Sequence, residues 1–491
     1  MKGHRCMYYE TLLKLLIKVT HLKSKDLSKE LHYDSSYFSK WLNGHYLPSS
    51  SQVETTNSYL SNRFADVIYR NNLQEDVRGF LPDNLDLGSK VILKKIIYNA
   101  LNSSYIKSFY KRNKNLMLVG DNPFQTIVGL DAIKQFLFSL YSKPLGHEKV
   151  NLFYHINYSF LKSIFDSYQN LLLFSNETPV DVHFILENPG SFFEFDDFYD
   201  IYNILTEMIY YDLFIYNRTV SAGQPEFIYV PNHFVLYFHM DENGLPLICN
   251  YVTDPDVLEQ TETYIKSLNL HQHTLMKTIQ DPYFEVDFFQ GNNYRDHALN
   301  IFASFFDASF LNENLINKIL KRNRIKNFDS EVLKNTLKLK NATYHNGNMT
   351  ITINSVPFFR SLREHKLSLA SHILKMNNDD MKKCIDLMSQ GLESMRASHF
   401  YMIDPYANEP LDWDFPLSFY MTEHTFVAKK LYASSKCRFK YIVSNNPDFV
   451  KFLRESFDLI RNAAYAKEVT PLRIKERLLS TYHTSITLED E

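Results

Sequence analysis

The sequence predicts a multidomain chain: an all-α N-terminal segment, then an α/β body built on a mixed sheet. Its 491 residues give room for about three domains. Apolar residues recur at helical spacing through the first part of the chain, and from Leu116 onward short β-branched and aromatic runs alternate with helical ones. With 45% apolar residues, 33 Tyr and 38 Phe, a disordered chain is excluded and large buried cores are expected.

The N-terminal elements follow from spacing. Leu12, Leu13, Leu15, Leu16 and Val19 give a first helix with a wide apolar face. Ser24 is placed to cap a second, Lys25 to Leu31, with Leu27 and Leu31 on one side. The turn His32-Tyr33-Asp34 ends in an N-cap acid for a third helix, in which Phe38, Trp41 and Leu42 point inward. With Leu16, Leu27 and Leu31, these three form the expected core. Ser35, Ser36, Ser39 and Lys40 are left on the outer face of a helix-turn-helix, with Tyr37 and Lys25 beside them, where such a motif presents residues to the major groove.

This stretch resembles the Cro/C1-type (XRE, phage-repressor-like) helix-turn-helix family, in which a hydrophobic residue, Ser, a basic residue, an aromatic and a later Gly recur as Phe38, Ser39, Lys40, Trp41 and Gly44 do here. Pro48 falls where that family often leaves the helix. The chain departs from the pattern at Ser28, usually Ala, and at His32, usually Gly. The resemblance covers about residues 8–60 and implies sequence-specific binding of double-stranded DNA through Lys25, Ser35, Ser36, Tyr37, Ser39 and Lys40.

The charge is uneven. Residues 1–114 hold 18 Lys/Arg against 10 Asp/Glu, whereas residues 181–262 hold Arg218 alone against 15 acids. Such a split would turn the N-terminal end toward phosphates and the middle away. Seven of the basic residues fall between Lys90 and Lys114 with no acid among them, interleaved with Ile96, Ile97, Leu101 and Phe109. This run, like Lys318 to Lys340, reads as the solvated face of amphipathic helices.

In the body, strands are expected at Leu116–Val119, Val150–His155, Val180–Glu187, Phe227–Val230, Phe234–Met240 and Leu247–Val252. Helices are expected at Leu130–Tyr141, Phe160–Tyr168, Phe198–Ile209 and Val257–Leu268. Asp241-Glu242-Asn243-Gly244 is a hairpin signal. His183-Phe184-Ile185-Leu186-Glu187-Asn188-Pro189 echoes His399-Phe400-Tyr401-Met402-Ile403-Asp404-Pro405, and Val252 to Asp256 echoes Val443 to Asp448. In the second echo a strand ends in a Pro-Asp turn that opens a helix, because Pro fits the first helical turn and Asp favours its positive end. A genuine repeat would make two related lobes. The expected division is a helix-turn-helix at 1–60, a helical connector at 61–115, one α/β lobe at 116–285, a helical basic linker at 286–340 and a second lobe with a helical C-terminus at 341–491.

Signals of catalysis are poor. Only 13 glycines occur, and neither a GxGxxG nor a GxxxxGK[ST] phosphate loop, nor a GxSxG elbow, is present. The two-lobe layout resembles phospholipase D-like proteins, but their paired His-x-Lys-x4-Asp motifs are missing: His147-Glu148-Lys149 has Tyr154 where the Asp would stand. His271-Gln272-His273 reads as a polar turn rather than a metal site, and His183 and His399 as strand residues with structural hydrogen bonds. Asp196-Asp197 and Asp379-Asp380 read as helix-start acids. No cofactor or metal is expected. Cys6, Cys249, Cys384 and Cys437 match no zinc or CxxC spacing and suit a reducing compartment. No run of 18 apolar residues occurs and no secretory leader is evident, so a cytoplasmic protein without a membrane span is expected.

The resulting expectation is a transcriptional regulator, not an enzyme, with a large C-terminal region that dimerises and senses a small-molecule or peptide effector. The alternatives are a nucleic-acid or nucleotide-processing enzyme targeted by its N-terminal module, and a scaffold or defence component whose helix-turn-helix no longer binds DNA. A pocket with convergent carboxylates and histidines would favour the enzyme, and an apolar, acid-rimmed cavity the sensor.

Overall fold

A computed structural model of the chain describes residues 7–49, 52–77, 80–81, 90–112, 122–141, 145, 148–156, 160, 180–186, 212–217, 226–291, 299–346, 348–395, 398–404, 418–429, 439–462 and 466–487. The chain forms two compact units, one of residues 1–194 and 210–274, the other of 195–209 and 275–491.

The first unit begins with α1 (Tyr9–Thr20), α2 (Ser24–Glu30), α3 (Ser35–Leu42), α4 (Val53–Arg70), the single turn α5 (Gln74–Val77) and α6 (Lys90–Arg112). Leu12, Leu13 and Leu16 of α1 are buried with Leu60, Phe64 and Ile68 of α4 and Leu93, Ile97 and Leu101 of α6. A polar ladder runs through this packing. The Tyr9 hydroxyl donates to Asn57 Oδ1 at 2.7 Å, the Asn57 amide donates to Asn102 Oδ1 at 2.6 Å, and the Tyr9 backbone N–H donates to Ser108 Oγ at 2.8 Å. The basic helix α6 is thereby fixed to the N-terminal helices through its apolar side. Lys94 is left in solvent, and Lys90 pairs with Asp66 at 2.5 Å.

The sheet of this unit has the order β1-β7-β6-β5-β2-β3-β4, from β1 (Phe124–Val128), β2 (Val150–His155), β3 (Val180–Leu186), β4 (Asp212–Asn217), β5 (Glu226–Val230), β6 (Phe234–Met240) and β7 (Pro246–Val252). β2, β3 and β4 are parallel, and the pairs on the β1 side are antiparallel. β6 and β7 are joined by the expected hairpin, with Gly244 at φ 74° and the Asp241 carboxylate accepting from the backbone N–H groups of Asn243 and Leu245. α7 (Leu130–Tyr141) follows β1, and α8 (Pro255–Ser267) follows β7, its N-terminus capped by Asp254.

The second unit carries β8 (Thr274–Gln280), α9 (Phe284–Gly291), β9 (Leu299–Ala303), α10 (Glu313–Arg322), α11 (Asn327–Asn346), β10 (Met349–Asn354), α12 (Ser355–Arg363), the hairpin β11 (Lys366–Leu369) and β12 (His372–Lys375), and α13 (Asn378–Ser394). β13 (Ser398–Ile403), β14 (Ser418–Met421), β15 (Phe426–Lys429), β16 (Lys440–Ser444), α14 (Pro447–Asn462), β17 (Ala466–Glu468) and α15 (Pro471–Thr487) complete it. Its sheet order is β8-β16-β15-β14-β9-β10-β13-β17, with β9, β10 and β13 parallel. The stretch 286–340, expected as a linker, is built into this unit: Leu315, Ile319, Leu333 and Leu337 belong to its core.

Strand for strand, the two orders match, β1-β7-β6-β5-β2-β3-β4 against β8-β16-β15-β14-β9-β10-β13. Val252 and Val443 occupy corresponding strands, β7 and β16, each followed by a Pro-first helix. His183 and His399 do not correspond, since β3 matches β10 and His399 lies on β13. Leu116–Val119, Phe198–Ile209 and all of Phe160–Tyr168 except the buried Phe160 lie outside the described residues.

Candidate nucleic-acid interface

α3 is defined at both ends by its own sequence. Asp34 accepts the Ser36 backbone N–H at 2.7 Å, and bonds from the Ser36 side chain and backbone hold its carboxyl below the usual carboxylate range. At the C-terminus the Gly44 N–H bonds to Trp41 O and the His45 N–H to Lys40 O, the pair of bonds of a Schellman motif with Gly44 at φ 71°. The turn between α2 and α3 is the same motif. The His32 N–H bonds to Lys29 O, the Tyr33 N–H to Ser28 O, and His32 takes φ 57°. A left-handed residue is thus required where the Cro/C1-type pattern carries Gly, and here a histidine adopts that conformation.

Of the expected core, Leu16, Leu27, Phe38 and Trp41 are buried, while Leu31 and Leu42 are half-buried. Ser28, which replaces the usual Ala, is buried and turns its hydroxyl back to Lys25 O at 2.9 Å, satisfying it locally. Ser24 does not cap α2: it is the first helical residue, and the N-cap is Lys23, whose side chain makes no capping bond.

Ser35, Ser36, Ser39 and Lys40 are all exposed on one face of α3, and Lys25 is exposed on α2. Tyr37 is half-buried in an aromatic cluster, stacked on Tyr33 with ring centroids 5.9 Å apart and edge-on to Trp41. Sequence reasoning missed Tyr46. It is 49% exposed, its ring lies 5.8 Å from that of Tyr37, and the Lys40 ammonium is 5.2 Å from its centroid. The signal was present as an aromatic two residues beyond the Gly that ends α3.

A second candidate site lies in the second unit. The Lys340 ammonium donates to both Asp307 carboxylate oxygens at 2.8 Å and to the Tyr420 hydroxyl at 2.9 Å. The Lys429 ammonium donates to Asp307 at 3.2 Å, lies 3.6 Å from Glu285 and sits 4.6 Å from the Tyr420 ring centroid. Lys340, expected on a solvated face, is fully buried; its helix turns it inward because Asp307 supplies a counter-charge there. Burial alone would raise the Asp307 carboxyl, but the two ammonium groups hold it well below its ordinary range. Glu285 is also buried, and neither of its oxygens has a hydrogen-bond partner among the described residues.

Beside this cluster is a cavity of about 40 Å³, with Asp307, Tyr420 and Lys429 at its polar end and Ile301, Phe358 and Phe400 among its apolar walls. That is space for about three waters or for part of a small ligand. Phe310, another wall, packs against Gly391 of α13, where any side chain would collide with its ring.

The remaining candidates are structural. His183 is stacked between Phe153 and Phe214, with centroids 4.5 and 4.7 Å away, and is bonded to the Tyr216 hydroxyl and to Asn151. Burial lowers its pKa to about 4. His399 is exposed and faces Glu468 at 3.2 Å. Asp380 is a buried helix-start acid paired with Lys318 and Arg322. His271 and His273 lie in a single helical turn, and no cluster of metal-ligating side chains occurs among the described residues. Cys249 and Cys384 are free and buried, with thiol pKa values raised by desolvation, that of Cys384 to about 12. Cys6, Cys437, His147 and Asp196-Asp197 lie outside the described residues. Among those residues, no helix is long and apolar enough to cross a membrane.

No family model matches the sequence, and no curated protein matches it. Among solved structures, phosphatidylserine synthase from Haemophilus influenzae Rd KW20 is similar at 10% identity over 78% of this chain and 98% of its own, with a TM-score of 0.25. TrmBL2, an archaeal chromatin protein with a novel mode of DNA binding, is similar at 10% identity over 35% of this chain, which spans 61% of it, with a TM-score of 0.20. At such scores neither likeness bears on what the chain does.

Proposed function

We propose that the chain is a cytoplasmic, sequence-specific DNA-binding transcriptional regulator of the Cro/C1 type that acts as a homodimer. The observation that carries this reading is the face of α3. Four short or cationic side chains, Ser35, Ser36, Ser39 and Lys40, stand exposed in a row on a helix whose other side, Phe38 and Trp41, is buried. Hydroxyls exchange hydrogen bonds with several base edges, and Lys40 reaches guanine or phosphate. Lys25, on the preceding helix, is placed for the backbone.

Residues 1–60 are the DNA-binding part and 61–115 the connector. The body consists of two related α/β lobes, a reading supported by the shared strand order and by the Pro-first helices at Pro255 and Pro447. The cavity with Asp307 at its polar end supports an effector site, since the described residues that line it are mainly apolar and aromatic. The test is recovery of genomic fragments by the purified chain. A shared short motif in the bound fragments supports the reading, and fragments of random sequence oppose it.

A further inference from the structure

β1 ends the sheet order, and no other strand among the described residues pairs with its outer edge. The Thr253 N–H bonds to Pro123 O and the Gly129 N–H to Leu247 O, so the odd-numbered residues between them turn their backbone groups toward β7. Phe124, Thr126 and Val128 therefore turn theirs outward. Their side chains are exposed as well, Phe124 by 51% and Val128 by 68%. Edges of this kind are usually guarded by a charge, a proline or a bulge. The segment Phe124-Gln125-Thr126-Ile127-Val128 contains no charge and no proline, and its ladder with β7 is unbroken.

We propose that β1 is the homodimer interface and pairs antiparallel with β1 of a second copy about a two-fold axis through Thr126. Under that axis Phe124 faces Val128 of the other copy twice and Thr126 faces its equivalent, giving aromatic-to-β-branched and Thr-to-Thr pairs, both favourable across strands. Each such pair lies at a position whose backbone groups point outward, so the ladder forms without breaking a backbone bond to β7. Among the described residues, the Phe124 N–H gives up Asn122 Oδ1 at 3.1 Å for a carbonyl of the second strand, and one Thr126 hydroxyl of the pair turns from Asn250 Oδ1, 2.9 Å away, to its equivalent. An uncharged strand meets its own copy without repulsion, and the contact is isologous, so it closes at two.

Five residues a side bury much less than a standard interface, so the free dimer is weak, and two half-sites on one DNA would strengthen it. This interface supplies the homodimer of the proposed regulator but stands on sheet geometry alone, and its test uses no DNA.

Sedimentation velocity of the full chain across a concentration series should show a monomer–dimer equilibrium. Val128→Lys changes a side chain exposed by 68% and should weaken association at least about tenfold with an unchanged melting curve. Phe124→Glu added to Val128→Lys should restore it, because only the register centred on Thr126 sets the carboxylate introduced by the first substitution against the ammonium that the second places on the other copy. A parent chain that stays monomeric throughout overturns the proposal, whether another segment of the same chain or nothing occupies the edge. So does a Val128→Lys variant as dimeric as the parent, or a double variant that remains monomeric.

Discussion

Lys340 and Asp307, 33 residues apart in sequence, meet in the interior of the second unit, with the ammonium 2.8 Å from each carboxylate oxygen. Removing Lys340 leaves the half-buried Asp307 and the buried Glu285 to share one ammonium, that of Lys429. Lys340→Met should therefore destabilise the second unit by about 3–5 kcal/mol, and Lys340→Met with Asp307→Leu by less. Urea melting of Lys340→Met, Asp307→Leu and the double variant decides: a double loss equal to the sum of the two single losses would mean that the two groups are not coupled.

The same pair sets a pH dependence. The Asp307 carboxyl is lowered in the folded chain, so its contribution is complete above the unfolded carboxylate value of about 3.9 and is lost as the pH falls through the folded value. The stability difference between the parent and Asp307→Asn should be flat from neutral pH down to about pH 5 and shrink only below about pH 4. A difference that shrinks between pH 7 and 5 would contradict the lowered carboxyl.

His183 loses its contribution in the same direction but in a higher pH window. Its pKa of about 4 lies below the unfolded value of about 6.5, so the neutral ring contributes fully above that value and loses its contribution as the pH falls toward the folded value. Proton NMR should find the His183 ring untitrated from pH 8 to pH 5. A midpoint near pH 6.5 would show that the ring is not enclosed by Phe153 and Phe214.

The left-handed residues after α2 and α3 should respond with opposite sign to substitution. His32→Gly removes a backbone cost of about 1–2 kcal/mol and adds back part of it as chain entropy, for a net gain of roughly 0.5 kcal/mol. Gly44→Ala imposes the same cost and brings a Cβ within 3.3 Å of the Glu10 side chain, so the N-terminal module should melt earlier. Phe38→Ala should cost about 3–5 kcal/mol through its cavity, while Ser39→Ala leaves melting nearly unchanged. If Phe38→Ala melts like the parent, the buried face of α3 is misassigned.

How far the sequence could be read follows the range of the interactions. α3 was legible because its cap, Asp34, its core residues, Phe38 and Trp41, and its terminating Gly44 all act within one turn or two. β2 and β6 were legible from their β-branched and aromatic make-up and α7 from its helical pattern, with boundaries as observed. Lys340 was misread because its partner lies on another element, and a lysine in a basic amphipathic helix carries no local mark of burial. β1, at Phe124–Val128, and β4, at Asp212–Asn217, were missed although they are no shorter than β5 and β2, because their evidence lies in their pairing with neighbouring strands. The echo of His183 in His399 illustrates the same limit. A local match of apolar residues crossed from one strand position to another, whereas the Pro-Asp turns, which have a physical reason to recur, fell on corresponding strands.

The proposed regulator depends on the exposed face of α3 reading DNA. Its most direct test is the affinity of the Ser36→Ala, Lys40→Ala double variant for a fragment recovered by the parent chain, with circular dichroism to show that the fold is kept. Removing each good hydrogen bond to a base edge should weaken the specific complex by about 1–3 kcal/mol, leaving weak, salt-sensitive, sequence-independent binding. Undiminished specific affinity in that variant would contradict the assignment of this face.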